Sequence, residues 1–465
     1  MTRSPTIGTP SNRAGFSQRG DANRSDMSFQ QICRTQPEES GRRTIDGYVA
    51  DTLYPSMFHQ RFTPEWTDAV LLQHFHAPPR GAREPFTLID VGCGDGYGLI
   101  LNAAAHPEGQ FLGIDASLAH VERGQSLVRE LGLPNVELRH ATFASAARDV
   151  TADYITAQGV LSWVTAPNRA ALWQFAQDTL KSGGALTVGY NTMPGWGWLL
   201  TFQRLLRALA EPIPGNSTER FHAALETLRS SGSVSQDVLA HIDEDRKGTA
   251  RDYYAHEYLN DGWEPLWSND VGAVAAAHAL QFVCNADAVR WRDDFAFTTA
   301  QRQALAAMPN RRARELTADA MLNTCFRLDE FVRSPSLALT EDARDALKLD
   351  SVWMARSSEE EAKYFFHTQA GKIGFDNAAA HAILRTLAQG PQSLRAVSGL
   401  RAADLLNTID ALAVAGLVQP AHKYGRTPHA ARIHTMVENG TIPIDTVVTP
   451  FGAMRRRVEK GAAEV

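Results

Sequence analysis

Residues 86–98 read FTLIDVGCGDGYG, and they are the stretch whose residue types and spacing point most directly to chemistry. Residues 86–90 are apolar and β-branched and end on an acid, Asp90, the signature of a short buried strand. Gly92, Gly94 and Gly96 follow at alternate positions. Without Cβ atoms, such a turn lets backbone N–H groups approach a ligand closely. From Leu99 a run of leucine, isoleucine and alanine opens a helix, and a helix N-terminus favours negative charge. Alone, the loop could be a tight turn that holds nothing. A second short strand, 110–115, ends on Asp115, at about the twenty-residue spacing where an acid takes the two hydroxyls of a ribose. Asp90, Gly92, Gly94, Gly96, Asp115 and the adjoining Ala116 are therefore the candidate residues of a nucleoside pocket.

Composition sets the frame that must position these residues. A chain of 465 residues has length for two to four domains and a sizeable core. Its 44% hydrophobic and 21% charged residues are those of a soluble globular protein. A formal charge of −6 gives no electrostatic reason to expect nucleic acid. Cys33, Cys93, Cys284 and Cys325 form no CxxC pair, which suits a reducing compartment and argues against a zinc site or a disulfide framework. No metal site is expected. No apolar run approaches the roughly twenty residues that span a bilayer, and no secretory h-region opens the sequence. The expected location is the cytoplasm.

In chain order, residues 1–45 are rich in Ser, Arg, Gly, Asn and Gln and read as a disordered tail. The segment from Tyr48 through Tyr54 and Phe58 is aromatic, and it is expected either to cover the pocket as a lid or to pack on the core. Thr63 and Pro64 read as the cap and first turn of a helix. Residues 136–140 read as a third strand, with Thr142 and Phe143 in the turn after it. A fourth strand ends near Gln158 and Gly159, and Ser162, Trp163 and Val164 follow. Ligands of open α/β sheets bind beyond the carboxyl ends of strands where the order reverses, so an acceptor is expected there. A fifth strand ends at Tyr190 and Asn191, followed by Pro194, Gly195, Trp196 and Trp198. Those tryptophans suit either a wall for an aliphatic or cationic substrate or packing between domains. Residues 201–300 read as a helical insertion carrying a sixth strand at 280–285, and 286–333 as charged and mostly helical. Asp404 and Asp410 lie on the helix that would have to face phosphate if the C-terminal region bound DNA, which favours a structural or protein-docking role.

The pattern Asp90-x-Gly92-x-Gly94-x-Gly96 departs from GxGxxG and resembles the first motif of class I S-adenosylmethionine-dependent methyltransferases. Further stretches sharpen this: Tyr54-Pro-Ser56, Gly113-Ile-Asp115, Gly159-Val-Leu-Ser-Trp163-Val164, Tyr190-Asn-Thr-Met-Pro-Gly-Trp196, His256-Glu-Tyr-Leu259 and His278-Ala-Leu-Gln-Phe282. Together they resemble the bacterial class I methyltransferases that carry a methyltransferase regulatory domain. Members include protein-lysine methyltransferases that modify outer-membrane proteins. The resemblance implies an α/β, Rossmann-like methyltransferase sheet with a helical insertion and a winged-helix-like C-terminal domain. The expected divisions are a tail (1–45), a methyltransferase core (46–200), an insertion with the regulatory domain (201–300), a helical connection (301–375) and a winged-helix-like domain (376–465). It implies S-adenosylmethionine as cofactor, S-adenosylhomocysteine as product, and no metal. The cofactor would be held by Asp90, Gly92, Gly94, Gly96, Asp115, Ala116, Thr142, Phe143 and Gln158. The family has an Asp near Thr142 for the adenine amino group. This chain lacks it, leaving the Thr142 hydroxyl and the Phe143 N–H for that contact.

Methyl transfer from a sulfonium is an in-line displacement that asks mainly for positioning and desolvation. A lysine amine must also lose its proton, which burial assists. Tyr54, Tyr190 and Asn191 are the candidates to orient it, with Gly159, Ser162, Trp163 and Trp196 bordering the acceptor. No side chain stands out as a strong general base, and His74, His76 and His140 read as ordinary surface or core histidines. The leading expectation is methylation of a protein lysine. The alternatives are a small-molecule methyltransferase with the helical region as lid, and a non-catalytic S-adenosylmethionine-responsive regulator. Expected partners are a protein or a small acceptor, with no nucleic acid and no membrane span, and a homodimer is an arrangement the sequence leaves open.

Overall fold

The computed structural model describes residues 44–79, 85–245, 251–422, 429–438, 446–449 and 452–455. Of the expected tail, 1–43 lie outside the described residues, and Thr44–Ile45 pair with Tyr48–Val49 in a short hairpin. A seven-stranded sheet lies at the centre. Its strands are β1 (Thr87–Val91), β2 (Gln110–Asp115), β3 (Val136–His140), β4 (Ala152–Ala157), β5 (Leu180–Asn191), β6 (Leu280–Asn285) and β7 (Phe326–Arg333). They are ordered β3-β2-β1-β4-β5-β7-β6. The first five are parallel, and β7 is antiparallel to both β5 and β6. The order reverses between β1 and β4, so a crevice opens beyond their carboxyl ends. This is the Rossmann-like class I methyltransferase sheet.

Side chains alternate across a strand, and the core divides accordingly. Ile89, Leu112, Ile155 and Leu186 pack on one face of the sheet. Leu88, Phe111, Tyr154 and Ala185 pack on the other. Each such large apolar side chain contributes on the order of 2 kcal/mol by leaving water. Helix α1 (Pro64–Gln73) starts as its sequence predicts, with the Thr63 hydroxyl accepting from the Trp66 N–H and Pro64 at the first helical position. Helix α2 (Tyr97–Ala105) follows the glycine loop, and α3 (Leu118–Leu131) is capped by Ser117 and ended by a left-handed Gly132. Gly124 lets α3 press against that loop, because a Cβ there would meet the Asp95 carbonyl oxygen at 2.1 Å.

Between β5 and β6 the chain runs through α4 (Leu200–Ala210), α5 (Ser217–Ser231), α6 (Gln236–Asp245), α7 (Tyr253–Tyr258) and α8 (Ser268–Ala277). Helices α4–α7 build a core of their own from Phe202, Phe221, Leu225, Tyr254 and Tyr258, which Val49 of the N-terminal hairpin joins, whereas α8 packs Val271 and Ala275 into the cluster on one face of the sheet. Residues 286–322 are mostly helical, as expected, through Ala288–Arg290, Asp293–Ala296, Thr299–Ala306 and α9 (Arg311–Leu322). The end of the stretch departs from that reading: 326–333 form β7, wedged between β5 and β6. Arg327, Asp329 and Glu330 on this strand are buried. The Arg327 guanidinium meets Asp319 at 2.7 Å, Asp329 at 2.8 Å and Glu315 at 3.0 Å.

Glu330 accepts a hydrogen bond from the Thr187 hydroxyl at 2.8 Å, while its other oxygen is buried with no partner. Burial pushes its pKa from 4.5 to about 8, helped by Asp68 and Asp329 and opposed by Thr187. The folded pKa lies above the unfolded one, so this group's contribution is complete below pH 4.5 and is lost as pH rises to about 8. Glu330→Gln is expected to match the wild type's melting temperature at pH 5 and exceed it at pH 9, read by thermal unfolding at the two pH values. A gap independent of pH would refute this.

The C-terminal part contains α10 (Glu341–Asp350), β8 (Val352–Ala355), α11 (Ala378–Leu387), β9 (Gln392–Ser393), α12 (Ala402–Val414) and β10 (Val418–Ala421). The helices and β10 fall where the winged-helix reading expects them. The small sheet, however, is ordered β9-β8-β10, so its central strand comes from upstream of both helices. Nor is this a separate core: Ile383, Leu384, Ile409 and Leu412 join the same cluster as Leu88 and Phe111. Asp410 is buried and pairs with Lys348 at 3.1 Å, facing no solvent phosphate. His422 bonds the carbonyl of Ala105, and its ring lies 4.4 Å from that of His106. Among the described residues no helix is long and apolar enough to cross a membrane.

Candidate active site

Two hydrogen bonds fix Asp115 at the end of β2. The Gly94 N–H donates to Oδ2 at 2.9 Å and the Ser117 N–H to Oδ1 at 2.8 Å. Each oxygen keeps acceptor capacity beyond these bonds. Gly94 has φ 59°, and a Cβ built on it would meet nothing within 4 Å. A positioned carboxylate beside an open glycine face fits a nucleoside ribose. Asp90, Gly92, Gly94, Asp115, Ala116, Thr142, Phe143 and Gln158 all line this one cavity. Gly96 does not: a Cβ there would meet Leu138 at 2.7 Å, so its role is to pack the loop against β3. Asp90 is deep, and burial raises its pKa to about 6 against the hydrogen bond from Thr156. Thr142 is turned into its own loop, exchanging bonds with Ser145 at 2.9 and 3.0 Å. His140 bonds the Ala116 carbonyl, away from any reacting group.

The aromatic N-terminal segment covers the cavity and is also packed. Tyr54 and Phe58 both line the cavity, and Phe58 is buried in the core as well. Arg123 on α3 holds the segment down by pairing with Asp95 of the glycine loop at 2.9 Å and donating to the Tyr54 carbonyl at 2.7 Å. Ser56 donates to the same Asp95, and the Tyr54 N–H donates to His120 Nε2 at 3.0 Å. Sequence spacing gives no hint that Arg123 or His120 holds this segment, because Tyr54, the partner of both, lies more than sixty residues away.

A second cavity adjoins the first, and Tyr54, Gln158 and Gly159 line both. Asn191, Trp163 and Trp196 line it as expected. Tyr190 does not. It points into the sheet, wholly buried, and its hydroxyl donates to Asp329 Oδ2 at 2.5 Å, so β7 claims the group that was expected at the acceptor. Ser162 is likewise buried away from both cavities, where its hydroxyl donates to the Asn191 carbonyl. Helix α7 supplies what the sequence reading missed. Its residues Tyr253, His256, Glu257 and Tyr258 line the second cavity, and Glu257 is buried. Glu257 accepts from Asn191 Nδ2 at 2.8 Å and from the Tyr253 hydroxyl at 3.2 Å. Burial outweighs these bonds and lifts its pKa from 4.5 to about 7. Burial and then the Glu257 charge raise the Tyr54 phenol. His256 is pushed down to about 3 by burial, and Thr52 bonds its Nε2 at 3.2 Å. The clue in the sequence was the His256-Glu257-Tyr258 run itself, which carried no distance to the glycine loop.

Comparison with known proteins agrees with this geometry. A family model described as "Methyltransferase domain" matches residues 88–184, and one described as "Predicted methyltransferase regulatory domain" matches residues 250–333. An uncharacterized protein of Synechocystis sp. is 28% identical over 311 residues, covering 65% of this chain and 61% of that protein. The chain therefore spans less than two thirds of that relative. A trans-aconitate 2-methyltransferase of Methylobacterium nodulans is 34% identical over 107 residues, covering 22% of this chain and 38% of that protein. The structure of PKMT2 from Rickettsia typhi in complex with AdoHcy superposes with a TM-score of 0.60 at 20% identity, over 79% of this chain and 77% of that one. The fold is shared.

Proposed function

We propose that this chain, which carries a class I S-adenosylmethionine-dependent methyltransferase domain followed by a methyltransferase regulatory domain, methylates a lysine amine of a protein. Bound in the first cavity, S-adenosylmethionine supplies a methyl group already activated by the sulfonium charge and leaves as S-adenosylhomocysteine. Asp115 accepts hydrogen bonds from the ribose hydroxyls, Gly94 leaves room beside the loop, Gly92 lets the loop close against Val160, and Thr142 and Phe143 border the adenine edge. The N-terminal segment excludes water from above. Tyr54 and Asn191 orient the acceptor amine where the two cavities meet.

The observation that carries this reading is the second cavity's lining. Trp163, Trp196, Tyr54, Tyr253 and Tyr258 wall it, and among its described lining residues there is no lysine or arginine. Aromatic faces favour an aliphatic chain that ends in a cation. An anionic acceptor, such as the aconitate in the name of the Methylobacterium relative, would find no guanidinium or ammonium there to offset its charge. That relative's match covers only 107 residues, which supports a common cofactor-binding half more than a common acceptor.

The test is methyl-labelled S-adenosylmethionine offered with protein extracts and, separately, with small-molecule pools. Label recovered as methyl-lysine after protein hydrolysis is the expected result. Label confined to small molecules would replace this reading with the small-acceptor one, the helical region then acting as a lid.

A further inference from the structure

We propose that Glu257 binds the ammonium of the incoming acceptor and takes up its proton, so that the regulatory domain contributes a catalytic group and not only a covering surface. This rests on the lysine reading above. The geometry begins with charge. Glu257 is the sole carboxylate among the described lining residues of the acceptor cavity, and no lysine or arginine lines it. A buried carboxylate without a cation is costly unless it is bonded or stays neutral. Asn191 and Tyr253 bond its two oxygens, one each, and the Trp163 and Trp263 indoles act on it as further donors, so the charged form is one this pocket is built to receive. Asn191 ends β5 and Tyr253 lies one turn back on α7, so the carboxyl is held from the sheet and from its own helix.

Only a limited set of other groups can titrate against it. From the N-terminal segment Tyr48, Tyr54 and His59 face the cavity, from α6 His241, and from α7 Tyr253, His256 and Tyr258. Burial raises the Tyr48 and Tyr54 phenols, and the Glu257 charge with burial raises that of Tyr253, so all three stay neutral. His256 is neutral with a pKa of about 3. Glu257 itself titrates at about 7, the range in which a general base is most effective. The step is balanced. The acceptor R–NH3+ passes one proton to the Glu257 carboxylate, giving R–NH2 and a carboxylic acid. The freed lone pair is then the nucleophile, and the acid returns its proton to solvent after the product leaves. Because His59 and His241 also line the cavity, the variant and not the pH profile alone assigns the titration to Glu257.

The experiment uses the full chain saturated with S-adenosylhomocysteine and n-butylammonium chloride as probe, followed by calorimetry from pH 5.5 to 8.5. Wild-type affinity is expected to rise through pH 7 as the carboxylate ionises, because the probe is charged throughout. Glu257→Gln, of the same shape, is expected to lose at least about tenfold in that affinity and its pH dependence. S-adenosylhomocysteine binding itself should be unchanged. In methyl transfer the variant is expected to lose about 10²–10⁴-fold in turnover, together with the acidic limb of the profile. Equal butylammonium binding by wild type and variant would overturn the assignment whatever the acceptor is. So would a wild-type affinity that is flat with pH, a result that does not depend on the variant folding. If wild type labels no protein lysine but Glu257→Gln still abolishes butylammonium binding, the lysine reading fails and the ammonium site stands.

Discussion

Asp115→Ala is expected to weaken S-adenosylhomocysteine binding by at least about a hundredfold, measured by calorimetric titration. The ribose hydroxyls donate to an ionised acceptor, and hydrogen bonds to charged groups contribute about 1.5–3 kcal/mol each. A hundredfold loss corresponds to about 2.7 kcal/mol, so one lost bond of full strength, or two of lesser strength, accounts for it. The same carboxylate also holds the Gly94 and Ser117 N–H groups, so the alanine variant loosens the glycine loop as well. Asp115→Asn keeps the size and one acceptor oxygen and should fall between the two. Because the bonds to the Gly94 and Ser117 N–H groups are lost, the apo alanine variant should also unfold at a lower temperature than wild type. An alanine variant that bound within threefold of wild type would remove the ribose from this site.

Arg327→Met is expected to cost about 3–5 kcal/mol of stability, read from urea unfolding, because it leaves buried carboxylates without their cation. Arg327 is fully buried, and Asp319, Asp329 and Glu315 all lie within 3.0 Å of its guanidinium. Arg290 approaches Glu315 at 3.4 Å and Asp319 at 3.6 Å, and it softens the loss without replacing the contact to Asp329. The destabilisation should be larger at pH 8 than at pH 5, since Asp329, raised to about 6 by burial, is then neutral at the lower pH and needs no partner. A cost below about 1 kcal/mol would mean that the cluster is solvated, contrary to its burial.

The contrast between β1 and β7 explains how much of the fold was legible. In β1 the buried positions carry Leu88, Ile89 and Val91, and apolar content announces a central strand. In β7 the buried positions include Arg327, Asp329 and Glu330, and charge hides the strand. Those charges are tolerated only because Asp319 and Glu315 arrive from α9 and Tyr190 from β5. Pattern reading counts residues along one chain segment, and here the compensating partners sit on others. The small C-terminal sheet illustrates the same limit, since Val352–Ala355 pair with strands about forty and sixty-five residues downstream, a distance that no local periodicity encodes.

What the sequence determined by itself was the cofactor half. The strand, the glycine loop and the two strand-end acids lie within one βαβ unit, and local geometry leaves few ways to arrange them. Asp90, Gly92, Gly94, Asp115 and Ala116 meet in one cavity because they are close along the chain and their positions follow from backbone conformation. Only the tertiary structure decided the acceptor half. Tyr190 and Asn191 are adjacent in sequence, yet strand alternation sends one into the β7 charge cluster and the other to the cavity. Glu257 reaches Asn191 across 66 positions because four inserted helices, α4–α7, form their own core and set α7 against the sheet's edge of the crevice. A buried carboxyl acquires its charge behaviour from what surrounds it, and that surrounding is assembled by packing, not by spacing.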